Sequence, residues 1–399
     1  MKPLSDIRIL DFTHMLSGPY STMLLADLGA QTIKVEPPVT GEATRRLLAA
    51  DIEHSRNGMG AYFLTLARNK QSICIDMKSP EGQKVLHQLA RHADVVVENF
   101  SLGVAKRIGI DYETLAAINP RIITCSISGF GNTGPGAHRP AFDLVAQGMG
   151  GGMSLTGEAD GRPLRAGIPI GDLGGGLMGA IGILSAIHAR SVSGRGQHVD
   201  ISMLDAQISM LNYMATMYLL SGKSPERSGN GHFVHVPYDT FKTATRDLII
   251  AVITDNFWAA LVELLADPDL QEPRYQKQPG RLAAKDRINA RLQQHFLQKP
   301  CEYWLEQLGQ RRIPCAPVND LAHAVADEQV RARNMIAQMT LPSGDVIEMP
   351  GNPIKLSAFT GEEYRPPPSL GADTDAILSG IAGIAENELK ALRDRGIIA

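Results

Sequence analysis

The chain has 399 residues, with 39 Lys and Arg against 42 Asp and Glu, giving a net charge of −3 with histidine neutral. Apolar residues make up 44%, charged residues 20% and aromatics 5%, a balance that excludes a disordered, collagen-like or disulfide-dense chain. The length allows two domains with a large core, and the near-neutral charge gives no general attraction to nucleic acid or to an anionic membrane, so any anionic ligand must be met locally.

The first half alternates short β-rich runs with helical patterns. Ile7–Phe12 reads as a strand, Gly18–Leu28 as a helix closed by Gly29, and Gln31–Glu36 as a second strand stopped by Pro37 and Pro38. Ser72–Asp76 alternates like a half-buried strand. Ser79 then opens a helix as N-cap, with Pro80 at the first helical position and Glu81 in the first turn. Asp94–Glu98 and Arg121–Ile127 are continuous apolar runs, as expected of parallel strands covered on both faces. The order is that of a doubly wound α/β, Rossmann-like fold. A small-residue helix over Asp172–Arg190, a strand over Gln197–Ile201 and a long Met-rich helix over Asp205–Leu220 follow.

Composition breaks at Ser221–Gly231, read as a linker into a smaller α+β domain. That domain starts with a strand over Leu248–Ile253 and continues in amphipathic helices to Pro317. The tail carries a hairpin with its turn at Pro342–Asp345, a strand near Ile354, a spacer at Pro366–Pro368 and a terminal helix. The expected division is therefore 1–220, 221–330 and 331–399. Cys74, Cys125, Cys301 and Cys315 include no C-x-x-C pair, so zinc-ligand spacing is absent and they read as small buried hydrophobes in a reducing compartment. Charged Asp6 and Arg8 stand where a signal peptide needs apolar residues, and Leu177–Ala189 is too short to span a bilayer. These features predict a cytoplasmic protein.

A G-x-G-x-x-G pattern at Gly129, Gly131 and Gly134 follows a strand, but Pro135, Gly136 and Pro140 prevent the helix that a dinucleotide site needs, so a turn-rich loop is expected there. Asp172 lies in Gly167–Gly176 with Gly171 before it and Gly174, Gly175 and Gly176 after it. Its ordinary role would be a helix N-cap. The glycines suggest more, because they clear side chains from one carboxylate and from neighbouring N–H groups able to hold an oxyanion.

The chain resembles the family III CoA-transferases, the formyl-CoA transferase and carnitine CoA-transferase group, over nearly all its length. The stretches that carry the resemblance are Asp11–Pro19, Ala26–Ala30 with Ile33–Glu36, Asn69-Lys70, Asp76–Lys78, Val97–Phe100, Phe142–Gln147, Gly171-Asp172, Gly194–Asp200 and Gly351–Ile354. The resemblance implies an interlocked homodimer whose large domain is built from both chain ends, with Asp172 as nucleophile. It implies CoA contacts at Met15, Leu16, Ile75, Lys78, Asn99, Phe100 and Arg107, and less directly phosphate contacts at Arg45 and Arg46. Acyl-CoA and a small carboxylic acid would be the substrates, with no metal and no tightly bound cofactor.

Succinyl-CoA or acetyl-CoA would be the donor, and a C4–C5 dicarboxylate such as itaconate, mesaconate, malate or citramalate the acceptor. Two departures bear on substrates. The small-domain stretch Ser228–Asp239 has only two glycines where formyl-CoA transferase has a run, and Leu16 replaces a glutamine, which weakens a formyl or oxalate assignment. His14, His232, His235 and Tyr238 are candidate hydrogen-bond donors to the acceptor. A 2-methylacyl-CoA racemase is the rival, but it needs a base where this chain has Phe142, and a non-catalytic CoA-binding protein would not need Asp172.

Overall fold

A computed structural model describes residues 2–359 and 361–399, and these divide into two compact units. The first comprises 1–152, 165–223 and 332–399; the second comprises 153–164 and 224–331. A cut at 221 leaves Met153–Leu164 in the first unit, whereas this segment packs with the second. There the Arg227 guanidinium donates to the carbonyls of Glu158 and Gly161.

The first unit is built on six parallel strands: β1 (Arg8–Asp11), β2 (Gln31–Glu36), β3 (Lys70–Cys74), β4 (Val95–Glu98), β5 (Ile123–Ser128) and β6 (His198–Ser202). Their order is β3–β2–β1–β4–β5–β6. Ile9 lies beside Thr32 on one flank and Val95 on the other, so the winding reverses between β1 and β4. Open parallel sheets bind ligands outside the carboxyl ends of the strands at this switch point. Helix α1 (Ser17–Asp27) follows β1. Helix α2 (Pro80–Ala90) follows β3, with the Ser79 hydroxyl accepting from Gly82 N–H as the sequence predicts.

Helix α3 (Asp143–Met149) and helix α4 (Ile170–Ser193) precede β6. The predicted Asp205–Leu220 helix is two helices, α5 (Met203–Leu211) and α6 (Tyr213–Ser221), broken at Asn212 with φ of 48°. The predicted hairpin is present as β7 (Ile336–Thr340) and β8 (Val346–Pro350), but no strand forms at Ile354, where the nearest pairing is a single bridge between Leu356 and Phe359. The G-x-G-x-x-G segment is a loop: β5 ends at Ser128 and α3 begins at Asp143.

Helix α4 has 24 residues, longer than the predicted Asp172–Arg190, and by length and composition alone it could cross a membrane, where the Leu177–Ala189 stretch reads as too short. It works here as a core helix along one side. Gly176 faces α1 so closely that a Cβ would stand 2.5 Å from the Ser17 carbonyl, and Ala180, Ile183 and Ala186 are buried against the sheet.

Buried charge joins the two ends of the chain in this unit. Arg68, 1% exposed, donates two hydrogen bonds to Asp27 and one of 2.6 Å to the Pro350 carbonyl, and stacks on Tyr364. Asn69 accepts from Arg365 N–H and donates to Asp27. The second unit holds a three-stranded antiparallel sheet of Tyr238–Phe241, Leu248–Ala251 and Cys315–Pro317. Its core of Trp258, Leu261, Ile288, Phe296, Trp304 and Leu308 comes from the helices Asp255–Leu265, Lys285–Phe296 and Cys301–Gln310.

Candidate active site

The loop after β1 and the loop after β4 meet at the switch point. Asn99 joins them with both ends of its amide: Oδ1 accepts from His14 N–H at 2.9 Å and Nδ2 donates to the His14 carbonyl at 2.7 Å. Met15 next to it has φ of 63°, a left-handed conformation that a side-chain-bearing residue adopts at a cost. The loop is held from below by buried charge. Asp11 accepts from Thr13 N–H and hydroxyl, Thr22 hydroxyl and Lys70 Nζ, while Lys34 Nζ donates to the Thr13 carbonyl at 2.7 Å. Burial alone would raise the Asp11 pKa, but Lys70 and Lys34 outweigh it and hold the carboxyl well below the usual carboxylate range. Asp11 and Lys70 are thus supports of the site.

These loops line a cavity of about 340 Å³ together with the loop after β5, Phe142 and Asp172. Met15, Leu16, Asn99, Phe100 and His14 share its wall with Asp172. Ile75, Lys78 and Arg107 are not on that wall. The Ile75 side chain is fully buried in the core, so any ligand contact it makes goes through its backbone; Lys78 and Arg107 are exposed. Arg45 is already committed. It forms two 2.6 Å hydrogen bonds to Glu36 and donates to the Pro368 carbonyl, so the phosphate contact expected of it does not fit, whereas Arg46 is exposed.

Asp172 is not the helix cap. Pro169 occupies the cap position, and Asp172 is the third residue of α4. The cap is supplied by Asp143 on α3, whose Oδ1 accepts from Gly171 N–H at 2.8 Å and Asp172 N–H at 3.3 Å, and whose Oδ2 accepts from Gln147 at 2.7 Å. The N–H groups expected to serve an oxyanion are therefore occupied. The glycines also do something other than clear a path. A Cβ at Gly171 would meet Asp143, at Gly174 Met210, and at Gly175 and Gly176 Ser17, so they let α3, α5 and α1 close around the first turns of α4.

Burial, and then the negative charge of Asp143, push the Asp172 pKa up to about 6. Its carboxylate is thus a stronger base and nucleophile than an exposed one, yet mostly ionised at neutral pH. His14, His138 and Arg139 are the other titratable or cationic groups on this wall besides Tyr62. A reaction that uses the ionised carboxylate should gain rate with pH through about 6. In Asp143→Asn, which keeps an acceptor oxygen but removes the charge, that limb should move to lower pH while burial keeps it above the ordinary Asp value. A pH–kcat profile from 5 to 8 checks this. An unmoved limb would show that Asp143 does not act on Asp172 through charge.

In the second unit the His232 ring lies 4.7 Å from His235 and 5.2 Å from Tyr238. His232 Nδ1 accepts from the N–H groups of Val234 and His235, so it organises its own loop. The Asp143 cap and the Asn99 clamp were missed in the sequence because both act on backbone far away in the chain. The motifs Phe142–Gln147 and Val97–Phe100 were the only signals of them.

The model of CoA-transferase family III matches residues 4–374. The chain is 38% identical over 366 residues to the acetyl-CoA:oxalate CoA-transferase of Acetobacter aceti, covering 91% of this chain and 92% of that one. It is 35% identical over 399 residues to the succinyl-CoA:glutarate CoA-transferase of Mus musculus, covering 100% and 91%. It is 38% identical over 362 residues to the succinyl-CoA:mesaconate CoA-transferase of Haloarcula marismortui, covering 90% and 91%. Among solved structures, a CAIB/BAIF family protein from Brucella suis superposes with a TM-score of 0.84 at 36% identity, covering 95% of this chain and 99% of that one.

Proposed function

Because the chain belongs to CoA-transferase family III, we propose that it moves CoA from succinyl-CoA to a free C4–C5 dicarboxylate, with Asp172 as the covalent relay. The observation that carries this reading is one half-buried carboxyl, poised near neutrality, on the wall of a cavity at the switch point of the sheet. The glutarate and mesaconate relatives act on C5 dicarboxylates with a succinyl-CoA donor, which supports the substrate class.

In this scheme Asp172 supplies the only covalent group of the protein. An Asp172 oxygen attacks the thioester carbonyl, the C–S bond breaks, and its pair leaves on CoA thiolate, giving an aspartyl anhydride. The thiolate attacks the aspartyl carbon and expels the donor as its carboxylate, leaving an aspartyl-CoA thioester. The acceptor carboxylate then attacks that carbon, and the thiolate returns to the acceptor's carbonyl, freeing Asp172. Anhydride and thioester both stay activated, which a serine ester would not. Met15, Leu16, Asn99 and Phe100 would border the pantetheine and acyl groups. Lys78 and Arg107, exposed on the same unit, would meet phosphates as charge-assisted donors, and Ile75 would contribute backbone. Asn99 would act mainly by holding the His14 loop.

The second copy of the chain expected from the resemblance is supported by apolar side chains left in solvent on α3, α4 and α6, including Leu144, Ile181, Leu219 at 78% and Leu220 at 83% exposure. Light scattering should give twice the mass of one chain; a monomer at micromolar concentration would contradict it. Phe142, on the cavity wall, cannot take a proton, which weighs against the racemase reading.

The test is incubation of the purified protein with succinyl-CoA or acetyl-CoA and a panel of acids, with new thioesters followed by mass spectrometry. A C4–C5 acyl-CoA is the expected product. Transfer to oxalate from acetyl-CoA would favour the activity of the Acetobacter relative instead. No exchange with any acid, but deuterium uptake into a 2-methylacyl-CoA, would overturn the transferase reading.

A further inference from the structure

Among the described residues on the wall of its cavity, Asp172 is the only carboxylate and Arg139 the only lysine or arginine. Arg139 is exposed, and its guanidinium makes no hydrogen bond or ion pair to any described residue. Arg45 and Arg68, by contrast, are committed to Glu36 and Asp27. The Arg139 guanidinium lies over the Phe130 ring, 4.9 Å from its centroid, and Phe130 is on the same cavity wall. An aromatic face steadies the plane of a guanidinium and leaves its edge of N–H donors open.

The loop that carries Arg139 is tied down. Gly131 N–H donates to the Ser128 hydroxyl, Asn132 N–H to Asp200 on β6 at 3.0 Å, and Arg139 N–H to the Gly136 carbonyl. Four residues beyond Arg139, Asp143 caps the helix of Asp172, a stretch of chain that spans at most about 14 Å. Arg139 does not pair with Asp172 itself: burial and Asp143 set the pKa of that carboxyl, and no cation opposes them.

We propose that Arg139 selects the acid, its guanidinium binding the second carboxylate of a dicarboxylate whose first carboxyl group reacts at Asp172. The inference rests on the CoA-transfer reading above and assigns the residue that makes the substrate dicarboxylic. The carboxyl carbons of a C4 or C5 dicarboxylate stand about 4–5 Å apart. A second carboxylate so close to the reacting one is repelled by Asp143, and by Asp172 while that is ionised, so it needs a cation in the same cavity. A guanidinium meets it with two parallel N–H···O bonds. Succinyl donor and dicarboxylate acceptor both present such a group, so one receptor serves both halves of the exchange. The phosphates of CoA are the other anions in the reaction, but Lys78 and Arg107, the cations expected to meet them, are not on this wall.

Acceptors of equal length, with and without the second carboxylate, test this. In a double displacement, kcat/KM for the acceptor reports only the steps after the donor acid has left, so succinyl-CoA serves as donor throughout. Wild type should prefer labelled succinate to butyrate, and glutarate to pentanoate. In Arg139→Gln, kcat/KM for the dicarboxylates should fall about 10- to 100-fold, with that for the monocarboxylates within about threefold of wild type. The loss should sit in KM for the acid rather than in kcat, because the second carboxylate is held alike before and during reaction; this split decides the matter if monocarboxylates are not turned over at all. Arg139→Lys, which keeps the charge but not the fork, should recover part of the loss. The thermal midpoint of both variants should hold, since the guanidinium is exposed and unpaired.

An unchanged KM for succinate in Arg139→Gln overturns the inference and leaves CoA transfer standing, as does a wild type that accepts butyrate as well as succinate. A loss equal for both kinds of acid, or confined to KM for the CoA thioester, gives Arg139 to the fold or to CoA and overturns it too. A wild type that exchanges CoA with no acid overturns both readings.

Discussion

Asp172→Asn is expected to abolish CoA transfer and, at pH 8, to make the folded protein more stable. The loss follows from removing the nucleophile: an amide oxygen cannot form the anhydride, and loss of a nucleophile typically costs at least about 10⁴-fold in kcat. The gain follows from the carboxyl's environment. Its folded-state pKa is raised from 3.8 to about 6 by burial first and Asp143 second. A carboxyl raised in this way contributes stability that is complete below about pH 4 and lost as pH rises through 6. At pH 8 the fold therefore carries a buried, repelled carboxylate, and the amide removes that burden. Allowing for partial solvent access, the gain should be on the order of 1–2 kcal/mol at pH 8 and near zero at pH 4. Urea unfolding at the two pH values measures it. A variant that loses activity and is destabilised at both would point to a structural role for Asp172 instead.

Arg68→Met is expected to destabilise the fold by about 3–5 kcal/mol, among the largest single effects in the first unit. The guanidinium is sealed in, and it bridges Asp27 at the end of α1 to the Pro350 carbonyl at the end of β8, with Tyr364 stacked on it. Removing it leaves Asp27 buried with one remaining Asn69 donor and leaves the Pro350 carbonyl without its guanidinium partner. The double variant Arg68→Met with Asp27→Leu should recover part of the loss, because it removes the stranded charge along with its partner. Chemical unfolding of the two single variants and the double variant closes the cycle. A loss below about 1 kcal/mol in Arg68→Met would mean that this buried ion pair adds little to the joining of the chain ends.

The parallel sheet was legible because its central strands are continuous apolar runs, and Ser79-Pro80-Glu81 marked its helix start to the residue. The break at Asn212 was not, since the apolar pattern runs straight through it and only the backbone turns. Asp172 stood out by its glycines, but for a reason the sequence could not reveal. The glycines serve the approach of three other helices, and the cap comes from Asp143, 29 residues earlier. Arg45 was read as a phosphate contact because an arginine in a loop has no visible partner in sequence. Its partners, Glu36 and Pro368, are brought to it by β2 and by the return of the C-terminal segment.

The central claim is that CoA passes through a covalent bond to Asp172. The most direct measurement is mass spectrometry of the peptide carrying Asp172 after the protein is mixed with succinyl-CoA and quenched in acid before any acceptor is added. The account predicts that this peptide gains the mass of CoA less one water, and that the adduct is absent in Asp172→Asn and discharged by an acceptor acid. Transfer of CoA between acids with that peptide unmodified at every time point, or an adduct on a different residue, would contradict it.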